Sequence, residues 1–183
     1  MSSKAFFFDR DGIINERKIG GYITTPEEFV FIEDFFEVFQ SIAQQGFCTI
    51  IITNQQGIGK GQMNEDDLHK IHEAMQQTLL QKTGYKFAGI YYCGDLDSSR
   101  SSRRKPAPGM IVEAIQEFDI DITNSWMIGD SPTDVQAGKA AGCKTILIGD
   151  YPSVFPDADF VFTSLHEFSE QLQCIVLNKE VEK

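Results

Sequence analysis

The chain has 183 residues, enough for one well-packed α/β domain and too few for two of ordinary size. Its apolar content of 42% is that of a globular protein, and many of its 15 phenylalanines fall in short runs suited to core strands or helix faces. A formal net charge of -11 argues against nucleic acid and anionic membranes as partners, because both demand a positive field.

Short apolar runs alternate with amphipathic segments, the pattern of a Rossmann-like three-layer α/β/α sandwich with a mainly parallel sheet. Ala5–Phe8 reads as a buried first strand. No helical period appears between Gly12 and Asp34; with Gly20, Gly21 and Tyr22 marking a turn, about residues 13–33 read as a small hairpin flap over the end of that strand. Phe35–Gln45 follows as a helix, with Phe35, Phe36, Phe39 and Ile42 on one face and Gly46 as its stop. Cys48–Ile52 is a β-branched second strand. Asn64 caps a helix of about 19 residues, with Leu68, Ile71, Met75 and Leu79 as its apolar period. Gly89–Tyr92 is a third strand, and Pro108 opens a helix bearing Ile111, Ala114, Ile115 and Phe118. Trp126–Ile128 is a fourth strand with its tryptophan in the core. Pro132–Ala141 is a helix stopped by Gly142, Thr145–Ile148 and Phe160–Phe162 are later strands, and Leu165–Ile175 is a closing helix. Polar Asn178–Lys183 is expected to fray. Without a repeat, leader or membrane-length apolar run, a single domain over residues 1–183, monomeric and cytoplasmic, is expected.

Ligands of an open parallel sheet bind beyond the carboxyl ends of its strands. Asp9, Arg10, Asp11 and Gly12 follow the first strand, and Thr53, Asn54 and Gln55 the second. Asp130 and Ser131 follow the fourth, with Asp134 one helical turn on, and Lys105 precedes a helix start. Singly, these are ordinary turns, caps and loops. Jointly they place mutually repelling acids on one sheet edge, where a hard divalent cation such as Mg²⁺ would keep them ionised. A hydroxyl, a lysine and backbone N–H groups could clamp phosphoryl oxygens, leaving one carboxylate free as a nucleophile.

At these residues the sequence resembles the haloacid dehalogenase (HAD) superfamily of phosphatases: Asp9-Arg-Asp11-Gly-Ile, Thr53-Asn-Gln, Lys105-Pro and Gly129-Asp130-Ser-Pro-Thr-Asp134. It is similar in particular to the small branch with a minimal (C0) cap that contains heptose-bisphosphate and histidinol-phosphate phosphatases. Phe7–Asn15, Gly21-Tyr22, Thr53–Ile58, Tyr91–Cys93 and Arg104–Met110 carry that likeness. The resemblance implies a Mg²⁺-dependent phosphatase acting on a small phosphorylated metabolite. It implies Asp9 as nucleophile, Asp11 as acid and then base, and Mg²⁺ held by Asp9, the backbone carbonyl of Asp11, and Asp130. Thr53, Asn54 and Lys105 would hold phosphoryl oxygens, Asp134 would orient Lys105 or the metal waters, and Arg10, Gly20, Gly21, Tyr22, Gln55 and Arg104 would complete the substrate wall.

Several features depart from that branch or lie outside it. Its zinc loop pairs a first cysteine, matched by Cys93, with a histidine two residues on and two further cysteines before the Arg-Lys pair. Here Asp95 takes the histidine position, and Arg100, Ser101, Ser102 and Arg103 bring no cysteine, so no structural zinc is expected in the loop at about 94–105. The four cysteines, at 48, 93, 143 and 174, read as buried thiols in a reducing compartment. His69 and His72 read as a solvated helix face, His166 as exposed, and Lys60 as either a surface charge or a distal phosphate contact. Two other classes stay open: a phospho-acceptor signalling module, disfavoured by the second acid Asp11, and an inactive relative kept as a binding partner.

Overall fold

A strand buried on both faces needs an unbroken apolar run, and Ala5–Phe8 supplies one, with all four residues fully buried. In the computed structural model, which describes residues 2–176, this run is β1. The other strands are β2 (Cys48–Asn54), β3 (Gly89–Cys93), β4 (Trp126–Gly129), β5 (Lys144–Ile148) and β6 (Phe160–Phe162). The helices are α1 (Asp34–Gln44), α2 (Glu65–Thr83), α3 (Gly109–Phe118), α4 (Pro132–Ala141) and α5 (Leu165–Val176). All neighbouring strands pair in parallel, in the order β3-β2-β1-β4-β5-β6.

The pleat sorts the core into two layers. Phe6 and Phe8 face α1, α2 and α5, whereas Ala5 and Phe7 face α3 and α4. Phe8 meets Phe35, Phe39 and Phe87 with ring centroids 5.7, 6.4 and 5.7 Å away. This aromatic cluster fixes the strand that leads into Asp9.

Element ends differ from the sequence reading by one or two residues, and one difference reaches the site. β2 runs through Thr53 and Asn54, which pair with Tyr92 and Cys93, so both belong to the strand rather than following it. The flap also differs. It closes through one antiparallel bridge, Asn15 with Phe31, flanked by Glu16 N–H to Val30 O and Ile32 N–H to Ile14 O. It is not a laddered hairpin, because a short 3₁₀ turn at Pro26–Glu28 and the glycine turn break the extended run. The expected frayed end at 178–183 lies outside the described residues.

Phe8→Ala should lower unfolding free energy by about 3–5 kcal/mol, the usual range for emptying a buried aromatic site. Denaturant unfolding followed by circular dichroism measures it, and a loss below about 1 kcal/mol would contradict this packing.

Candidate active site

β1 lies between β2 and β4, where the strand order turns back on itself, and such a switch point opens a crevice beyond the strand ends. Asp9 stands there with its backbone N–H donating to Ile128 O at 3.0 Å. The Arg10 backbone N–H donates to Asp9 Oδ1 at 2.7 Å. Lys105 reaches in from the loop before α3, with Nζ 2.8 Å from Asp9 Oδ1, 2.6 Å from Asp134 Oδ1 and 2.8 Å from Ile52 O. The ammonium donates a hydrogen bond to the Ile52 carbonyl and forms ion pairs with both carboxylates. Asp134 is fixed in turn by its helix: it forms a capping box with Ser131 at the start of α4, its Oδ2 accepting from the Ser131 N–H and Oγ.

The second acid has its own frame. Arg10, only 1% exposed, donates through Nη2 to both Asp11 oxygens at 2.9 Å. Asn15 Nδ2 donates to Asp11 Oδ1 at 3.0 Å, and Gln55 Nε2 to Asp11 Oδ2 at 2.8 Å. Gln55 Nε2 also reaches Thr53 Oγ1 at 2.9 Å. Asn54 ties the end of β2 to Lys105, its Oδ1 accepting from the Lys105 N–H and its Nδ2 donating to the Lys105 carbonyl, both at 3.1 Å.

Charge follows geometry. Burial pushes the Asp9 carboxyl up to about 7, with Asp134 and Asp11 adding to the shift against the opposing pull of Lys105. Burial likewise raises Asp130 to about 6 despite Arg17. Burial works against charge on Lys105, but Asp134 and Asp9 outweigh it and hold the ammonium protonated. Burial also works against charge on Asp11, yet Arg10, Asn15 and Gln55 prevail and hold it below the usual carboxylate range.

Asp9, Arg10, Asp11, Gly21, Tyr22, Asn54, Gln55, Lys105 and Asp134 all line one cavity of about 260 Å³. Gly20, Arg104 and Asp130 do not; Asp130 lines a separate depression with Gly12 and Tyr151. Gly20 makes the flap turn at φ 74°, and Arg104 is turned onto its own loop, toward Asp97 Oδ1 and the Asp95 carbonyl, each 3.3 Å away. Acceptors of its own loop thus engage that guanidinium. Thr53 is buried beneath the cavity rather than lining it.

His72 also differs from its expected solvated position. It is 5% exposed, with Nε2 3.4 Å from Arg10 Nη1, and burial together with the Arg10 charge lowers it to about 3. His69 does lie at the surface, with Nε2 3.4 Å from the Tyr92 hydroxyl. Sequence reasoning missed Arg17, which lines the cavity beside Lys18 and Thr133 and pairs with Asp130. A basic residue inside the flap, six positions past Asp11, was the available signal.

Carboxylate oxygens of Asp9, Asp130 and Asp134 lie within 4.8 Å of one another. Both Asp134 oxygens are already engaged, by Lys105 and Ser131, which leaves Asp9 and Asp130 as the carboxylates that can face an ion. Hard oxygen donors with excess negative charge fit a divalent cation of the Mg²⁺ type. The Asp11 carboxylate is not part of this group; what it offers on that side is its backbone carbonyl.

Residues 102–151 match the HAD-hydrolase-like family. The chain is 37% identical over 155 residues to the D-glycero-alpha-D-manno-heptose-1,7-bisphosphate 7-phosphatase of Burkholderia mallei, covering 81% of this chain and 80% of that one. It is 37% identical over 147 residues to the D-glycero-beta-D-manno-heptose-1,7-bisphosphate 7-phosphatase of Helicobacter pylori, covering 80% and 83%. In structure it is similar to D,D-heptose 1,7-bisphosphate phosphatase from B. bronchiseptica complexed with magnesium and phosphate. The TM-score is 0.81 at 27% identity, over 92% of this chain and 97% of that one.

The raised Asp130 carboxyl has a direct consequence. It keeps its proton longer in the folded chain than in the unfolded one, so its favourable contribution is complete below about pH 3.8 and is lost as pH climbs to about 6. In metal-free protein, Asp130→Asn should therefore gain stability relative to wild type between about pH 4 and about pH 6, then level off. Paired denaturant melts across that range check it, and a difference independent of pH would contradict it.

Proposed function

The chain belongs to the haloacid dehalogenase family of hydrolases and is a phosphatase; from that premise we propose that it removes the 7-phosphate of D-glycero-D-manno-heptose 1,7-bisphosphate through an aspartyl phosphate on Asp9. The observation that carries the residue assignment is one juxtaposition. Asp9, gripped by Lys105, and Asp11, gripped by Arg10, line the same cavity from positions two residues apart. The substrate follows the names of the heptose-bisphosphate relatives, and a cavity of about 260 Å³ suits a small phosphorylated metabolite.

In the first step an Asp9 oxygen attacks phosphorus, the bond from phosphorus to the sugar oxygen breaks, and Asp11 passes a proton to that oxygen. In the second, Asp11 takes a proton from water, the water oxygen attacks phosphorus, and the bond to Asp9 breaks, releasing phosphate. The contacts to Asp11 favour the carboxylate that the second step uses. A phosphate dianion brought beside it favours the protonated form that the first step uses.

Lys105 steadies Asp9 and the transferring group. The Thr53 hydroxyl accepts from Gln55 beneath the cavity and so steadies the amide that holds Asp11. Asn54 lines the cavity and has a second amide N–H to donate to a phosphoryl oxygen. Mg²⁺, held by Asp9, Asp130 and the Asp11 carbonyl, would neutralise phosphoryl charge and let two anions approach. The loop replacing the zinc site is proposed to hold no metal, its Cys93 Sγ lying 3.5 Å from Asp95 and 3.8 Å from Ser101.

Phosphate release with Mg²⁺ should show the highest kcat/KM for heptose 1,7-bisphosphate in a panel that includes histidinol phosphate and other sugar phosphates. Asp9→Asn should abolish turnover, and Asp11→Asn should lower kcat by about 10²–10⁴-fold. A preference for histidinol phosphate would overturn the substrate assignment; turnover by Asp9→Asn would overturn the nucleophile.

A further inference from the structure

Arg17 leaves the flap and enters the carboxylate cluster. Its Nε donates to the Asp11 backbone carbonyl at 3.1 Å, and its Nη2 donates to Asp130 Oδ1. These acceptors are two of the groups proposed to hold the divalent ion. The Arg17 side chain is 54% exposed, so packing does not lock it in place. The backbone at Gly12 opens the way: a Cβ there would stand 1.8 Å from Asp130 Oδ2 and 2.9 Å from Arg17 Nε. Tyr151 anchors the other partner by donating its hydroxyl to the Asp130 carbonyl at 3.0 Å.

A guanidinium and a hard dication cannot use the same oxygen lone pairs, and their charges repel at this range. We propose that Arg17 is a tethered cation that competes with the divalent ion for Asp130 and the Asp11 carbonyl, and so sets the affinity of the metal site. The proposal rests on the assignment of those two groups to the ion. Because the competitor is attached to the same chain, its effective concentration stays high at every ion concentration. Ion entry displaces the guanidinium from Asp130 while the flap keeps it at the cavity wall, where its charge faces incoming anions.

The test is calorimetric titration of Mg²⁺ into the substrate-free whole protein, for wild type, Arg17→Ala, Arg17→Gln and Arg17→Lys. The Ala and Gln variants should bind Mg²⁺ about tenfold more tightly than wild type, the scale of one half-exposed charge-assisted pair. Arg17→Lys should fall between, because an ammonium keeps the charge but not the two-point grip. Thermal melts of the same samples establish that each variant is folded. Equal or weaker binding by folded Ala and Gln variants overturns the inference. If wild type binds Mg²⁺ and Asp130→Asn binds it equally well, the metal assignment itself falls. If no protein in the series takes up the ion, both fall.

Discussion

Lys105 decides the electrostatics of this molecule. The residue is 3% exposed, and its ammonium lies between two buried carboxylates, Asp9 and Asp134. Taking three charges out of water costs several kcal/mol per ion, by order of magnitude, and only close mutual contact offsets it. The arrangement does more than balance charge. It occupies one Asp134 oxygen while Ser131 holds the other, and it aims Asp9 into the cavity. What remains on the other side of Asp9 is negative charge that a cation can meet.

The fold is arranged so that this contact forms. A phenylalanine-packed β1 brings Asp9 to the switch point of a parallel sheet, α4 presents Asp134 from its first turn, and Asn54 holds the backbone of Lys105 through both ends of its amide. The grip on Asp11 is separate. Arg10, Asn15 and Gln55 surround it, and His72 backs Arg10 from α2. Two acids two residues apart thus sit in opposite electrostatic settings, one pushed up by burial and one held down by a buried arginine.

Much of this was legible in the sequence. The alternation of apolar runs and amphipathic segments has a strong local signature, so the strands and helices of the described residues fell where their periods placed them, and strand-end residues could be gathered onto one edge. Residues whose roles depend on side-chain direction were not legible. His72 has the composition of a solvated helix position, and only its turn toward Arg10 buries it. Arg104 carries the charge expected of a substrate contact, yet acidic neighbours in its own loop hold it away from the cavity. Arg17 lies in an irregular flap without periodicity, so nothing in the pattern fixes where its long side chain ends. Gln55 reads as part of the substrate wall and Asn54 as a phosphoryl contact; both line the cavity, and their amides in addition brace Asp11 and Lys105, which no sequence pattern announces.

The central claim is that the Asp9 carboxylate, and no other group, takes the phosphoryl group. Borohydride reduces an acyl phosphate on aspartate to homoserine. The most direct measurement is therefore peptide mass spectrometry of enzyme quenched with borohydride during turnover with Mg²⁺ and substrate. The expected result is homoserine at position 9, appearing only when substrate is present. Modification at another acid, or none at position 9 while phosphate is being released and the intermediate accumulates, would contradict the claim.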